Sequence, residues 1–154
     1  MKDSRLKRIY DMIDALGVRI EYCDDLPDDM DGEYVHEEKL IRIRFDLSTR
    51  VYRSTLPHEC CHAIWGDIPS KFGPVNAKQE RRADEWAAMQ MIGLDEYRQQ
   101  EARHDGNVEA IAVALDVTAD MVEVYRKMLL RVEDIVYLDP RMGAGEYGAR
   151  IEVG

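Results

Sequence analysis

Leu6, Ile9, Ile13 and Leu16 recur at three- and four-residue intervals, which predicts an amphipathic helix over 4–16, ended by Gly17. The pattern then changes period. In VRIEY, Val18, Ile20 and Tyr22 alternate with charged neighbours, and in KLIRIRF Leu40 or Ile41, Ile43 and Phe45 do the same. Each stretch reads as a half-buried strand, and together they predict a small antiparallel sheet. A helix follows, capped by Ser48 or Thr55 and stopped at Gly66; Pro57 favours a start near Thr55. The turn-rich SKFGPVN separates it from a helix over about 77–92, and GLDEY leads into a connecting helix that ends near His104. Ile111, Ala112 and Leu115 share one face of a short helix, and Met121, Val122, Tyr125 and Leu129 share a face of the next. With Thr118 as the cap between them, they make a helix-turn-helix-like pair.

These elements predict an α+β protein, mainly helical with a small antiparallel sheet. A chain of 154 residues supports one core and a small appendage. The core is expected over 1–104, the helical pair over 105–138, and a loosely held glycine-rich tail over 139–154.

Composition narrows the class of partner. With 45% hydrophobic and 34% charged residues the chain is that of a folded soluble protein. No apolar run approaches the roughly 20 residues that cross a bilayer, and the start MKDSRLKRIYDMIDALG interleaves charge with apolar residues, so neither membrane insertion nor export is expected. The cysteines Cys23, Cys60 and Cys61 form no spaced framework, which predicts reduced thiols and a cytoplasmic location. A net charge of −10 repels a phosphate backbone, so direct nucleic-acid binding is not expected. The acidic run from Asp24 to Glu33 reads as a solvated loop.

The candidate chemistry sits in LPHECCHAIWGD. On a helix, His58 and His62 lie one turn apart and can reach one ion, while Glu59 is turned aside, close enough to act on a water that the ion activates. An H-E-x-x-H is short enough to arise by chance, so a third ligand is required. The helix over 77–92 carries an apolar stripe of Ala83, Ala87, Ala88 and Met91, and Glu80 and Asp84 fall on that same face. A carboxylate buried in such a stripe needs a cation, which assigns Glu80 as the third ligand of a zinc ion. Asp84 is then the acceptor that orients a ligand histidine through its other ring nitrogen. Three protein ligands leave the open position of a catalytic zinc site. Cys60 and Cys61 are expected to pack rather than ligate, and His36 and His104 to be surface residues. Tyr97 and His104 are the candidates to lean over an oxyanion.

LPHECCHAIWGD followed by ERRADEWAA resembles the ImmA/IrrE family of metallopeptidases, which join H-E-x-x-H to a downstream E-x-x-A-D/N-x-F/W-A-A block and a helix-turn-helix-like segment. The resemblance spans residues 32–130. It implies a zincin-like core and a zinc-dependent endopeptidase of the gluzincin kind, with His58, His62 and Glu80 as ligands and Glu59 as general base. It also implies a protein substrate, a helix-turn-helix repressor of a phage or mobile element. The adjacent cysteines depart from the family's small or aliphatic residues and raise the question of redox sensitivity. An extended peptide is expected to lie antiparallel against the KLIRIRF strand. The competing expectation is a regulator without catalysis, stabilised by zinc and acting through protein contacts.

Overall fold

Ile9 and Ile13 anchor the first helix, α1 (Lys2–Ala15), in the core, where their side chains are fully or almost fully buried. The computed structural model describes residues 2–137, with side chains described from 4 to 131. The chain continues through β1 (Arg19–Cys23), β2 (Gly32–Val35), a short 3-10 turn (His36–Glu38) and β3 (Leu40–Arg44). Five helices follow: α2 (Thr49–Trp65), α3 (Gly73–Met91), α4 (Leu94–Arg103), α5 (Val108–Leu115) and α6 (Ala119–Tyr137). The protein is therefore α+β and mainly helical. The expected tail over 139–154 lies outside the described residues. Among the described residues no helix is long and apolar enough to cross a membrane.

The sheet is mixed rather than antiparallel. Its order is β1-β3-β2, with β1 parallel to β3 from Arg19↔Leu40 to Cys23↔Arg44 and β2 antiparallel to β3 from Gly32↔Ile43 to Val35↔Leu40. The two strands legible in the sequence are thus neighbours of like direction, which requires a crossover of about a dozen residues or more. Residues 24–39 supply it, and they contain β2. Asp24 to Asp31 form the expected loop, but Gly32 and Glu33 already belong to the strand. Charge disguised this edge: Arg42 on β3 pairs with Glu33 at 3.0 Å and also with Asp25 and Glu21. Arg44 donates to the carbonyls of Pro27 and Met30 at 2.6 and 2.7 Å. Two cations on the central strand therefore hold the acidic segment against it.

Helix α2 starts at Thr49, well before Thr55. Ser48 is the cap, its hydroxyl accepting from the Val51 N–H at 3.3 Å. Arg53, 2% exposed, donates through Nε to the Asp116 carbonyl at 3.0 Å and ties this first stretch to the turn between α5 and α6. Those contacts outweigh the hydrogen bond that Pro57 forgoes inside the helix. Gly66, at φ +64°, closes the helix, with the Gly66 and Asp67 N–H groups bonded back to Ala63 and His62 carbonyls. Helix α3 likewise starts earlier than 77, with Pro74 in its first turn, where a missing N–H costs little.

Thr118 caps α6, its Oγ1 accepting from the Met121 N–H at 3.2 Å, and Asn107 caps α5. One hydrophobic cluster joins Ile9, Ile41, Leu56, Ala87, Tyr97, Ile111 and Val122. Leu56 and Cys60 carry the inner face of α2 into it, leaving the opposite face to look outward across the chain.

Candidate metal centre

The outward face of α2 carries His58 and His62, whose rings meet edge to face with centroids 4.8 Å apart. The i, i+4 spacing puts them there, and α2 packing on α3 brings Glu80 across to them. Glu80 Oε1 lies 3.0 Å from His58 Nε2, Glu80 Oε2 lies 3.0 Å from His62 Nε2, and the two Nε2 atoms are 3.2 Å apart. The outer ring nitrogens are also engaged. His58 Nδ1 donates to Asp84 Oδ1 and His62 Nδ1 to Asp67 Oδ2, both at 2.8 Å.

This donor set fits a cation. An ionised carboxylate only accepts, so Asp84 and Asp67 hold the protons on the two Nδ1 atoms and turn the Nε2 lone pairs inward. Two Nε2 atoms at 3.2 Å cannot both aim a proton at the other. One ion between them satisfies both lone pairs and the Glu80 carboxylate together. These three residues are the group of described side chains whose ligand atoms lie close enough, within 4.8 Å of one another, to hold a metal ion.

With protons alone, the same contacts distort titration. Burial lowers the His58 pKa, but hydrogen bonds to Asp84 and Glu80 outweigh it and leave it raised to about 10. Burial likewise opposes, and bonds to Glu80 and Asp67 reverse, the shift at His62, which is also upward. Hydrogen bonds from His58 and His62 hold Glu80 well below the usual carboxylate range. Glu59, 6% exposed, goes the other way, because burial disfavours its charged form more than the histidines favour it. A metal ion competes with these protons for the same atoms.

Glu80 and Asp84, expected within the buried apolar stripe of α3, lie outside it. Their side chains are 59% and 50% exposed, while Ala83, Ala87, Ala88 and Met91 are buried. Ala83, between them, is fully buried, so the core reaches past Asp84 along α3; the two acids lie beside the buried stripe, on the side of the helix that lines the open cleft, and meet solvent and the histidines. The structure nonetheless brings both beside His58, Asp84 at the ring nitrogen anticipated for it.

Asp67 was missed. It follows the Gly66 helix stop, is only 9% exposed in its side chain, and is shared between His62 and the Arg82 guanidinium. Arg82 in turn stacks on Trp65, its guanidinium 4.3 Å from the ring centre. The available signal was an acid directly after a glycine stop, where the reversing chain returns a side chain to the last turn.

Cys60 and Cys61 are both fully buried, and burial pushes their thiols up to about 12 and 11. Tyr97 is 1% exposed and bonds Glu101 and Arg126, and His104 ends α4; neither lines the cleft. His36, expected at the surface, is half-buried and bonds the Tyr34 hydroxyl through Nδ1 at 2.9 Å.

The cleft has a volume of about 770 Å³, and its lining includes Asp29, Tyr34, both histidines, Glu80 and Asp120. Its β wall is Gly32 to Tyr34 of β2. Strand β3, the KLIRIRF strand, has both edges paired and cannot take a further strand. The edge beside the site is that of β2.

A peptidase family model described as the IrrE N-terminal-like domain matches residues 13–125. No curated protein matches the chain.

Proposed function

Because the chain belongs to the IrrE N-terminal-like family of metallopeptidases, we propose that it is a zinc-dependent endopeptidase that cleaves a helix-turn-helix repressor of a phage or mobile element in the cytoplasm. The observation that carries this reading is the inward convergence of two Nε2 lone pairs and one carboxylate, each histidine fixed from behind by an acid. Two imidazoles and a carboxylate are a donor set that zinc accepts, and three protein ligands leave a position for reacting groups. Zinc, when bound, polarises a carbonyl and brings the pKa of water towards 7.

The chain's own residues supply the rest. Glu59 takes a proton from water, and the hydroxide adds to the scissile carbonyl carbon. Glu59 then passes that proton to the amide nitrogen as the C–N bond breaks. Its burial suits this task, since a carboxylate pushed towards neutrality both accepts and returns a proton. An extended substrate segment adds to the outer edge of β2, where main-chain hydrogen bonds select unfolded backbone. The net charge of −10 favours a basic partner such as a DNA-binding protein.

The test is to incubate the zinc-loaded protein with the repressor encoded beside it. Wild type is expected to give two fragments, and chelation or Glu59→Gln to leave the repressor whole. Release of an uncut repressor from its operator by wild type and by Glu59→Gln alike would overturn the peptidase reading.

A further inference from the structure

Addition to a peptide carbonyl leaves negative charge on its oxygen, and a hydrogen-bond donor aimed at that charge is among the largest contributions a protein makes to such a reaction. Several neutral donors lining the cleft are committed elsewhere. Ser54 Oγ contacts the Thr118 N–H and the Met121 sulfur, Thr118 Oγ1 accepts from the Met121 N–H, and the Asn76 amide is bonded to Ser70. Tyr34 is placed differently.

Gly32 and Tyr34 are two apart on β2 and share a face. That face abuts α2: a Cβ on Gly32 would come 2.9 Å from Thr55 Cγ2. Further along, the His36 ring packs on Gly66, where a Cβ would come 3.2 Å from His36 Cε1. These two contacts bracket the part of α2 that carries His58, Glu59 and His62. Tyr34 lies between them, half-buried on the cleft wall, with its hydroxyl 2.9 Å from His36 Nδ1 on the Gly66 side. Asp67, which holds His62, is the next residue after Gly66. The phenol is therefore held on the wall of the cleft that carries the metal group, towards the Gly66 end of α2, by a second side chain.

We propose that Tyr34 donates a hydrogen bond to the scissile carbonyl oxygen as it becomes an oxyanion, and that His36 positions this phenol. With its proton on Nδ1, His36 donates to the Tyr34 oxygen and leaves the phenolic proton free to point into the cleft. Tyr34 is then a catalytic residue and His36 a positioning residue. The inference rests on the peptidase reading, and its test separates the two.

Wild type, Glu59→Gln, Tyr34→Phe, His36→Leu and His36→Asn are compared for zinc content, melting temperature and cleavage of the neighbouring repressor. Wild-type cleavage with an inert Glu59→Gln establishes the peptidase; an inert wild type overturns that reading and this inference with it. Given an active wild type, Tyr34→Phe is expected to lower kcat about 10²- to 10³-fold with zinc content and KM close to wild type. His36→Leu is expected to lower kcat by a smaller factor, and His36→Asn, which restores an N–H near Nδ1, to recover it. A phosphinic peptide of the cleaved sequence, which carries the tetrahedral oxyanion, gives a readout without turnover. Tyr34→Phe should weaken its binding while leaving the parent peptide's affinity for Glu59→Gln unchanged when the two substitutions are combined. Tyr34→Phe with kcat within twofold of wild type, or unaltered phosphinate affinity, overturns the proposal.

Discussion

His62 and Asp67 face each other across the end of α2, Nδ1 to Oδ2 at 2.8 Å, because Gly66 in a left-handed conformation turns the chain back on its own last turn. Asp84 makes the same contact to His58 from a different helix. The two metal-facing nitrogens are thus set by acids that come from opposite directions.

Asp67→Asn and Asp84→Asn are each expected to weaken zinc binding by about 10- to 100-fold, the usual effect of losing the acceptor behind a ligand histidine. Competition against a chelator of known affinity measures it. Asp67→Asn should also unseat Arg82 from its place over Trp65, so a change in tryptophan fluorescence is expected with that variant and not with Asp84→Asn. Equal affinities for wild type and both variants would remove this orienting role.

Glu80→Ala is expected to lose most of the bound zinc and to melt modestly below the metal-free wild type, since the histidine contacts that hold its carboxylate below the usual range are lost with it. The side chain is 59% exposed, so its removal opens no cavity. Elemental analysis beside a thermal melt checks both halves. Full zinc at wild-type affinity would eliminate Glu80 as a ligand.

Glu59→Gln is expected to keep zinc, abolish cleavage and raise the melting temperature of the metal-free protein at neutral pH. Burial raises the folded pKa of Glu59 above its ordinary 4.5, so the folded state binds this proton more tightly than the unfolded chain. The resulting penalty is absent below the unfolded pKa and grows as pH rises through the folded one. The stabilisation by glutamine should therefore shrink as the melt is repeated towards pH 4, and a gap that widens on acidification would contradict the assignment.

Cys60 and Cys61 are expected to resist alkylation of the native protein at pH 7, since both are fully buried and their thiols are pushed up to about 12 and 11. Cys23, which is half-buried, should react first. Peptide mapping after iodoacetamide treatment, with and without denaturant, checks the order. Ready native labelling of Cys60 or Cys61 would restore redox sensitivity as a property of the site.

Short-range features were legible in the residues. The helical spacing of Ile9 and Ile13, the stop at Gly66, the cap at Thr118 and the one-turn separation of His58 from His62 depend on neighbours a few residues away, and a sequence displays those directly. The start of α2 was less so, because Ser48 was one of two possible caps and the decision came from Arg53 reaching Asp116, far along the chain.

What the tertiary structure decided are relations between distant segments. Strand direction was one: β1 and β3 alternate identically whether they pair parallel or antiparallel, and only the crossover holding β2 selects the parallel arrangement. The free edge beside the cleft was a consequence, since β2 displaced β3 to the centre of the sheet. Exposure of Glu80 and Asp84 was another, because how wide a strip of a helix is buried depends on what packs against it: Ala83 between them is fully buried, while the acids beside it face the cleft and His58. The sequence by itself determined which residues share a turn; packing determined which turns meet, because burial and pairing energies belong to pairs of segments and are written in neither one alone.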